Sequence, residues 1–360
     1  MRILIMKFRN IGDVLLVTPL ISNLKRNYPD AKIDVAVNRG TEEMLTLHPD
    51  VDEVLIYDRA AIKSLGLFRR ILAELRFAWK IRKRGYDLVI NTTKGDRGAQ
   101  LALISGAETK IGYASKNRFL KRVFDHTLPA QGLRHTIETN LDPLRVLKLP
   151  VAEKRVEIFW SETDEKTVDA LLPYGDFVHI HPVSRWLFKC LDDASMARII
   201  DYCILELRQN VVLTAAPVRQ ELDKVASILA HCKSRPTNLA GKLTLKQTAA
   251  LNKRARRFIG VDTAIMHISA ANDVPVLAFF GPSGADHWGP WDNELMESGY
   301  TSRRGIQRMG KHIVWQRGWE CVPCGKDGCE GSKISDCLIH LEITELHGIL
   351  SAHLKGGTHP

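Results

Sequence analysis

At 360 residues the chain has room for two domains that each bury a core, and 45% hydrophobic with 26% charged residues excludes a disordered or fibrous protein. Lys and Arg number 51 against 41 Asp and Glu, and the net charge of +10 suits an anionic partner or serves solubility alone. No apolar run approaches the roughly 18–20 residues that span a bilayer. Met1-Arg2, the short run Ile3 to Met6 and then Lys7 make too small a unit for an export signal, so the expectation is a cytoplasmic protein whose seven cysteines stay reduced.

Ile3 to Met6 reads as a first strand, followed by a loop through Asn10 and Gly12. Leu15, Leu16, Leu20, Ile21 and Leu24 have helical spacing, and Pro29-Asp30 ends that helix. Strands follow at 32–37, 53–57 and 86–90, the last leading into the polar loop Asn91 to Arg97. The pattern weakens between Pro129 and Trp160 and restarts at Asp176-Phe177-Val178-His179-Ile180-His181-Pro182, with later strands at 210–214, 257–260 and 274–280. Strands alternating with helices predict an α/β protein of two Rossmann-like, doubly wound parallel-sheet domains facing a central cleft. The domains are placed at 1–165 and 176–340, with a C-terminal helix and tail at 341–360 that frays from Lys355 onward. Ligands of such sheets bind at the carboxyl ends of strands. That selects the loops Asn10–Asp13, Asn91–Arg97, His181–Lys189, Thr214–Glu221, Gly260–His267 and Gly281–His287.

Gly260-Val261-Asp262-Thr263-Ala264-Ile265-Met266-His267 is the most suggestive of these. Asp262 or Thr263 caps a helix whose N–H groups and dipole favour an anion. Ala264 is small enough for close approach, and His267, one turn on, can donate to a phosphate oxygen. A plain N-cap with a surface histidine is the alternative. In 181–189, Ser184, Arg185 and Lys189 offer a hydroxyl and two cations, with Lys189 able to neutralise a diphosphate leaving group; a surface loop with an aromatic anchor fits equally. Glu221 is either a ribose acceptor or a solvated helix residue. Gly12 permits unusual backbone angles or close approach, and Asp13 is either a general base or an N-cap. Lys94 and Arg97 either meet acceptor phosphates or are solvated. Neither G-x-G-x-x-G after the first strand nor a Walker A sequence is present, against a nicotinamide dehydrogenase and a P-loop kinase.

From Lys63 to Arg84, Lys63, Arg69, Arg70, Arg76, Lys80, Arg82, Lys83 and Arg84 stand against Glu74 alone, interleaved with Leu67, Phe68, Ile71, Leu72, Leu75, Phe77, Trp79 and Ile81. Such a helix lies on an anionic membrane or phosphorylated lipid, or packs its stripe on the sheet. Cys321, Cys324, Cys329 and Cys337 open with C-x-x-C but space irregularly, leaving structural zinc, a redox role and simple thiols open.

The opening Lys7-Phe8-Arg9-Asn10-Ile11-Gly12-Asp13 through Thr18-Pro19, and Gly260 to His267 continuing to Phe280-Gly281-Pro282, resemble glycosyltransferase family 9, the lipopolysaccharide heptosyltransferases. Phe8 to Asp13, His181 to Trp186 and the cysteine segment after Trp319 look closest to its heptosyltransferase III branch. The resemblance implies a GT-B fold and inverting transfer from ADP-L-glycero-D-manno-heptose to a heptose of the lipopolysaccharide inner core, with no obligatory catalytic metal. It implies Asp13 as general base, and Ser184, Lys189, Glu221, Asp262, Thr263, Ala264 and His267 as donor-binding residues. The enzyme would then sit peripherally on the cytoplasmic face of the inner membrane. Gly12, Lys94 and Arg97 fall on the acceptor side. The alternatives are another core acceptor or sugar nucleotide, or a non-catalytic binder of anionic surfaces; nucleic acid is not an expected partner.

Overall fold

The structure is a computed structural model in which residues 1–172 and 174–355 are described, so the expectation for the tail beyond Lys355 lies outside the described residues. The chain divides into two compact units, Met1–Phe159 and Trp160–Pro360.

The first unit holds strands β1 (Arg2–Lys7), β2 (Lys32–Asn38), β3 (Glu53–Tyr57), β4 (Leu88–Asn91), β5 (Thr109–Gly112) and β6 (His126–Thr127) in the order β3-β2-β1-β4-β5-β6. Every pairing is parallel. Ile3 to Met6 are all buried, as expected of a parallel strand covered on both faces. The order reverses at β1, whose neighbours are β2 and β4. Chain leaving β1 and β4 therefore parts to opposite faces and opens a crevice at their carboxyl ends.

Two departures from the sequence expectation have local causes. The helix expected through Leu15 to Leu24 is broken into a turn, Ile11–Leu15, and a helix, Thr18–Asn27. Pro19, without an N–H, suits a helix start, and the Thr18 hydroxyl donates to the Leu15 carbonyl at 3.0 Å. The basic segment forms helices Arg59–Ser64 and Leu67–Arg82. In the longer one only Ala78 and Ile81 are buried, whereas Phe68 and Trp79 are 81% and 63% exposed. Packing on the sheet is thus confined to the last turns, and most of the apolar stripe faces outward.

The second unit holds β7 (Phe177–His181), β8 (Asn210–Leu213), β9 (Thr237–Asn238), β10 (Arg257–Val261), β11 (Val276–Phe280), β12 (Gln307–Met309) and β13 (His312–Gln316), ordered β12-β13-β11-β10-β7-β8-β9. Among the described residues, only β12 and β13 pair antiparallel. Without that hairpin strand the order repeats the first sheet, with β7 in the place of β1 and β10 in the place of β4. The second crevice therefore lies at the ends of β7 and β10. The helix Ile343–Lys355 closes the core with Leu346, Leu350 and Leu354.

Four of this unit's buried histidines, His179, His181, His312 and His353, serve as neutral rings. His179 Nε2 and His181 Nδ1 share the Thr214 hydroxyl at 2.7 and 2.9 Å. His179 Nδ1 meets Asn252 Nδ2 at 3.0 Å, His353 Nε2 meets the Phe258 carbonyl at 3.0 Å, and His312 Nδ1 accepts the Val276 N–H. Burial holds His179 well below its usual range, His181 and His353 at about 3, and His312 at about 4. An unfolded histidine takes up a proton below about pH 6.5, while these stay neutral until their lower folded values. Each therefore removes up to about 1.4 kcal/mol of stability per pH unit as pH falls below about 6.5. Burial also raises Glu74, Glu157 and Glu221, which act in the opposite sense but are fewer. The urea midpoint is accordingly expected to drop between pH 7 and pH 5; a midpoint that holds or rises over that interval contradicts the neutral-histidine account.

Candidate active site

In the second unit, Gly260 pairs with His181 across β10 and β7. A Cβ at Gly260 would stand 2.9 Å from the His181 carbonyl oxygen and 2.7 Å from the Phe258 ring, so the close approach of the strands at the crevice requires glycine. Beyond Val261, Thr263 is the N-cap of helix Ala264–Ala271; its hydroxyl accepts the Ile265 and Met266 N–H groups at 3.2 and 3.4 Å. Of the two capping candidates, then, the threonine caps. Asp262 is buried and accepts Lys189 Nζ at 2.6 Å. Lys189 ends a short 3-10 turn, Leu187–Lys189, in the loop after β7. One ion pair thus ties the β7 loop to the β10 loop across the reversal point and fixes an ammonium beside a helix N-terminus.

The other candidates of this unit lie around it. Ala264 is the first residue of the helix, and His267 lies one turn in and is buried, which sets aside the surface-histidine alternative. Ser184 is buried; its N–H reaches the Cys190 thiol and its hydroxyl accepts the Trp186 N–H at 3.3 Å. The Arg185 guanidinium lies 5.1 Å from the Trp186 ring centroid. Glu221 opens helix Arg219–His231, buried rather than solvated, and accepts the Ala216 N–H at 2.9 Å through Oε2. Burial raises its carboxyl. A cation, a helix N-terminus, a small first residue and a buried hydroxyl in one crevice are groups with the chemistry to hold an anion.

The first unit's crevice is built from β1 and β4. Asn10 is the N-cap of the turn Ile11–Leu15 and Asp13 its third residue. Asp13 is 7% exposed. Oδ2 accepts the Asn10 N–H at 3.3 Å, and Oδ1 lies 3.5 Å from Arg9 Nε. Asp13 is therefore not the N-cap; it braces the cap and keeps acceptor capacity on Oδ1. Gly12 lies within the same helical turn, so the expectation of unusual backbone angles there is corrected, and its lack of a side chain is what remains useful.

On the β4 side, Lys94 is exposed, with Nζ 5.5 Å from the Tyr113 ring centroid. Arg97 is more constrained than a solvated cation. Its guanidinium stacks 4.2 Å from the Tyr57 ring centroid and meets Glu74 at 3.2 Å, while the Tyr57 hydroxyl donates to the same Glu74 oxygen at 2.7 Å. Arg97 Nη1 has no hydrogen-bond partner among the described residues. The Tyr57–Glu74 clamp was missed by sequence reasoning, its only signal being the single acid in a basic helix. Also missed is Lys7, buried at the end of β1 with Nζ on Asn140 Oδ1 at 2.9 Å; its only signal was a lysine inside an apolar strand.

All seven cysteines are free thiols. Cys321 and Cys324 are exposed and Cys337 is buried. Burial, with a further contribution from Cys329, Cys324 and Cys321, pushes the Cys337 thiol up to about 12. Among the described residues no three His, Cys, Asp or Glu side chains are grouped so as to hold a metal ion.

Comparison with known proteins gives this geometry a lineage. The family profile described as glycosyltransferase family 9 (heptosyltransferase) matches residues 74–310. Lipopolysaccharide heptosyltransferase 3 of Escherichia coli is 34% identical over 295 residues, covering 79% of this chain and 85% of that protein. Lipopolysaccharide heptosyltransferase 1 of Pseudomonas aeruginosa is 24% identical, covering 91% and 87%. Among solved structures, a family 9 glycosyltransferase from Veillonella parvula superposes with TM-score 0.78 at 21% identity, covering 98% and 97% of the two chains. E. coli ADP-heptose heptosyltransferase II superposes with TM-score 0.74 at 18% identity, covering 99% of each. These likenesses carry the GT-B fold, and the chain belongs to glycosyltransferase family 9 and is a glycosyltransferase.

Proposed function

We propose that the protein is an inverting heptosyltransferase that moves L-glycero-D-manno-heptose from ADP-heptose to a heptose of the lipopolysaccharide inner core, the reaction type of heptosyltransferase III. The observation that carries the reading is the Lys189 ammonium held by Asp262 at the start of helix Ala264–Ala271. There, negative charge that develops on a departing diphosphate meets a fixed cation and a helix N-terminus. The kinship with a lipopolysaccharide heptosyltransferase at 34% identity supports heptose and ADP as the parts of the donor.

In this reading the acceptor hydroxyl gives its proton to the Asp13 carboxylate as its oxygen forms a bond to the anomeric carbon. The bond from that carbon to the ADP oxygen breaks in the same displacement, and the configuration inverts. Lys189, Ser184, His267 and the Thr263-capped helix end stabilise the leaving ADP, and Ala264 lets the phosphates approach. Glu221 has acceptor capacity left for a ribose hydroxyl. No step calls for a metal, since Lys189 supplies the positive charge. Lys94 and the Arg97 Nη1 donor are candidates for acceptor anions.

The acceptor is lipid-anchored, and helix Leu67–Arg82 supports a peripheral position on the cytoplasmic face of the inner membrane. Among the described residues no helix is long and apolar enough to cross a bilayer. Leu67, Phe68, Leu75 and Trp79 are nonetheless more than half exposed beside Arg69, Arg70, Arg76 and Lys80. Apolar wedges among cations match a headgroup region of negative charge, at about 1 kcal/mol per basic residue near the surface.

Two experiments test the reading. Asp13→Asn is expected to lower transfer at least about 100-fold while leaving ADP affinity at the wild-type value; Lys189→Met is expected to weaken ADP binding about 10-fold or more. Full turnover in Asp13→Asn, or unchanged ADP binding in Lys189→Met, overturns the respective assignment. In the second, vesicles containing phosphatidylglycerol should sediment the wild-type protein and uncharged phosphatidylcholine vesicles should not, with Phe68→Ser/Trp79→Ser weakening the association. Equal binding by the double variant removes the helix from the membrane account.

A further inference from the structure

We propose that the connection between β5 and β6, residues 113–125, is a second membrane-contact element: Phe119 enters the headgroup region of an anionic phospholipid bilayer, with Lys116, Arg118, Lys121 and Arg122 around it. The inference rests on the reading of helix Leu67–Arg82 as a membrane contact. It adds a separate element and says what the two do together for the site.

Phe119 is 79% exposed, and the Arg118 guanidinium lies 4.8 Å from its ring centroid. A single exposed apolar side chain is ordinary on a protein surface; here its surroundings decide. Lys116, Arg118, Lys121 and Arg122 are all exposed. The one acid of the connection, Asp125, pairs with Lys110 at 3.2 Å. An aromatic wedge among cations that no local acid offsets is complementary to negative headgroups lying over acyl chains.

The wedge stands on a fixed base. Leu120, Val123 and Phe124 are buried and belong to one core cluster with Leu4, Met6 and Val89 of the sheet. The same cluster holds Ala78 and Ile81 of helix Leu67–Arg82, and Ala99, Leu101 and Ala102 of helix Asp96–Ser105. A Cβ at Gly112 would stand 2.5 Å from the Phe124 ring, so the end of β5 is kept bare for that anchor. The two helices and the connection therefore cover one face of the first sheet. On the middle element, helix Asp96–Ser105, Leu103 and Ile104 are exposed as well. Exposed apolar side chains thus recur on all three elements of this face.

Topology puts this face beside the chemistry. In a parallel sheet the segments that follow the strands all leave from one edge. β1, β3, β4 and β5 so deliver Asp13, Tyr57, Arg97 and the 113–125 connection to the same edge. Helix Leu67–Arg82 reaches that edge too, because Glu74 accepts the hydroxyl of Tyr57, the last residue of β3, at 2.7 Å. Its opening turn, with Leu67 and Phe68, extends past the sheet. A single amphipathic helix on a bilayer is free to roll about its own axis. A second contact on the same rigid face removes that freedom and holds the Asp13 crevice beside the lipid-anchored acceptor.

The test is co-sedimentation of the full chain with phosphatidylglycerol vesicles, read beside transfer and Tm. Phe119→Ser/Lys121→Gln/Arg122→Gln changes only exposed side chains and should keep the wild-type Tm. It should weaken vesicle association at least about 20-fold, and wild-type association should fall as salt is raised. Transfer to a lipid-linked acceptor in those vesicles should drop with it, whereas transfer to the same core saccharide freed of lipid should stay at the wild-type rate. If the triple variant does not fold, Lys121→Gln/Arg122→Gln carries the test, with a loss of at least about 10-fold. Wild-type association by these variants, with Phe68→Ser/Trp79→Ser weakened, overturns the proposal and leaves the helix reading intact. An equal loss of transfer to the lipid-free saccharide, with vesicle association unchanged, assigns the four cations to phosphates of the acceptor itself and also overturns it. Wild-type protein that ignores the vesicles altogether removes the helix reading and this element together, so the failures are distinguishable.

Discussion

The structure turns on one constraint: each sheet is parallel around its first strand, and its order reverses there. A parallel strand must be reached by a crossover, and crossovers from β1 and β4, or from β7 and β10, leave to opposite faces. The gap so created is where the loop ends of neighbouring strands come together. Asp13 and the β4 loop occupy it in the first unit; Lys189, Asp262 and Thr263 occupy it in the second. Everything assigned to chemistry depends on those two reversals. Gly260, where any Cβ would meet the His181 carbonyl, shows how closely the second one is packed.

Much of this was legible in the sequence because parallel strands announce themselves. Ile3 to Met6 and Val276 to Phe280 are continuous apolar runs, buried on both faces. The strands that escaped notice are short or carry polar residues. β6 and β9 have two residues each, and β13 buries His312 and Gln316 among apolar neighbours. The break between the turn Ile11–Leu15 and helix Thr18–Asn27 was hidden because Leu16 and Leu20 keep helical spacing across it, whereas Pro19 decides the outcome.

The site was legible in its residue types and illegible in their pairings. Asp262 and Thr263 were equal candidates for a cap; in the structure the Thr263 hydroxyl takes the Ile265 and Met266 N–H groups, while the Asp262 carboxylate turns to Lys189. Arg97 reads in sequence as an acceptor-side or a solvated cation, and nothing in the sequence pairs it with Glu74 and Tyr57. Lys7 could not be distinguished from a strand-terminal lysine that snorkels to water; its partner Asn140 lies 133 positions away. Long-range polar contacts of this kind leave no periodic signal.

Preorganisation is the common theme of the two crevices. The β7 loop is fixed below by the His179–Thr214–His181 contacts and above by Lys189 on Asp262, so the cation's position is set by the protein itself. The most direct test of the account is a transfer assay with a heptose-terminated, lipid-linked core acceptor and a panel of ADP- and UDP-linked sugars, with the anomeric configuration of the product read by NMR. The account predicts transfer from ADP-L-glycero-D-manno-heptose with inversion at the anomeric carbon and little or none from UDP-sugars. Retention of configuration, or preferred use of a UDP-sugar, would contradict it.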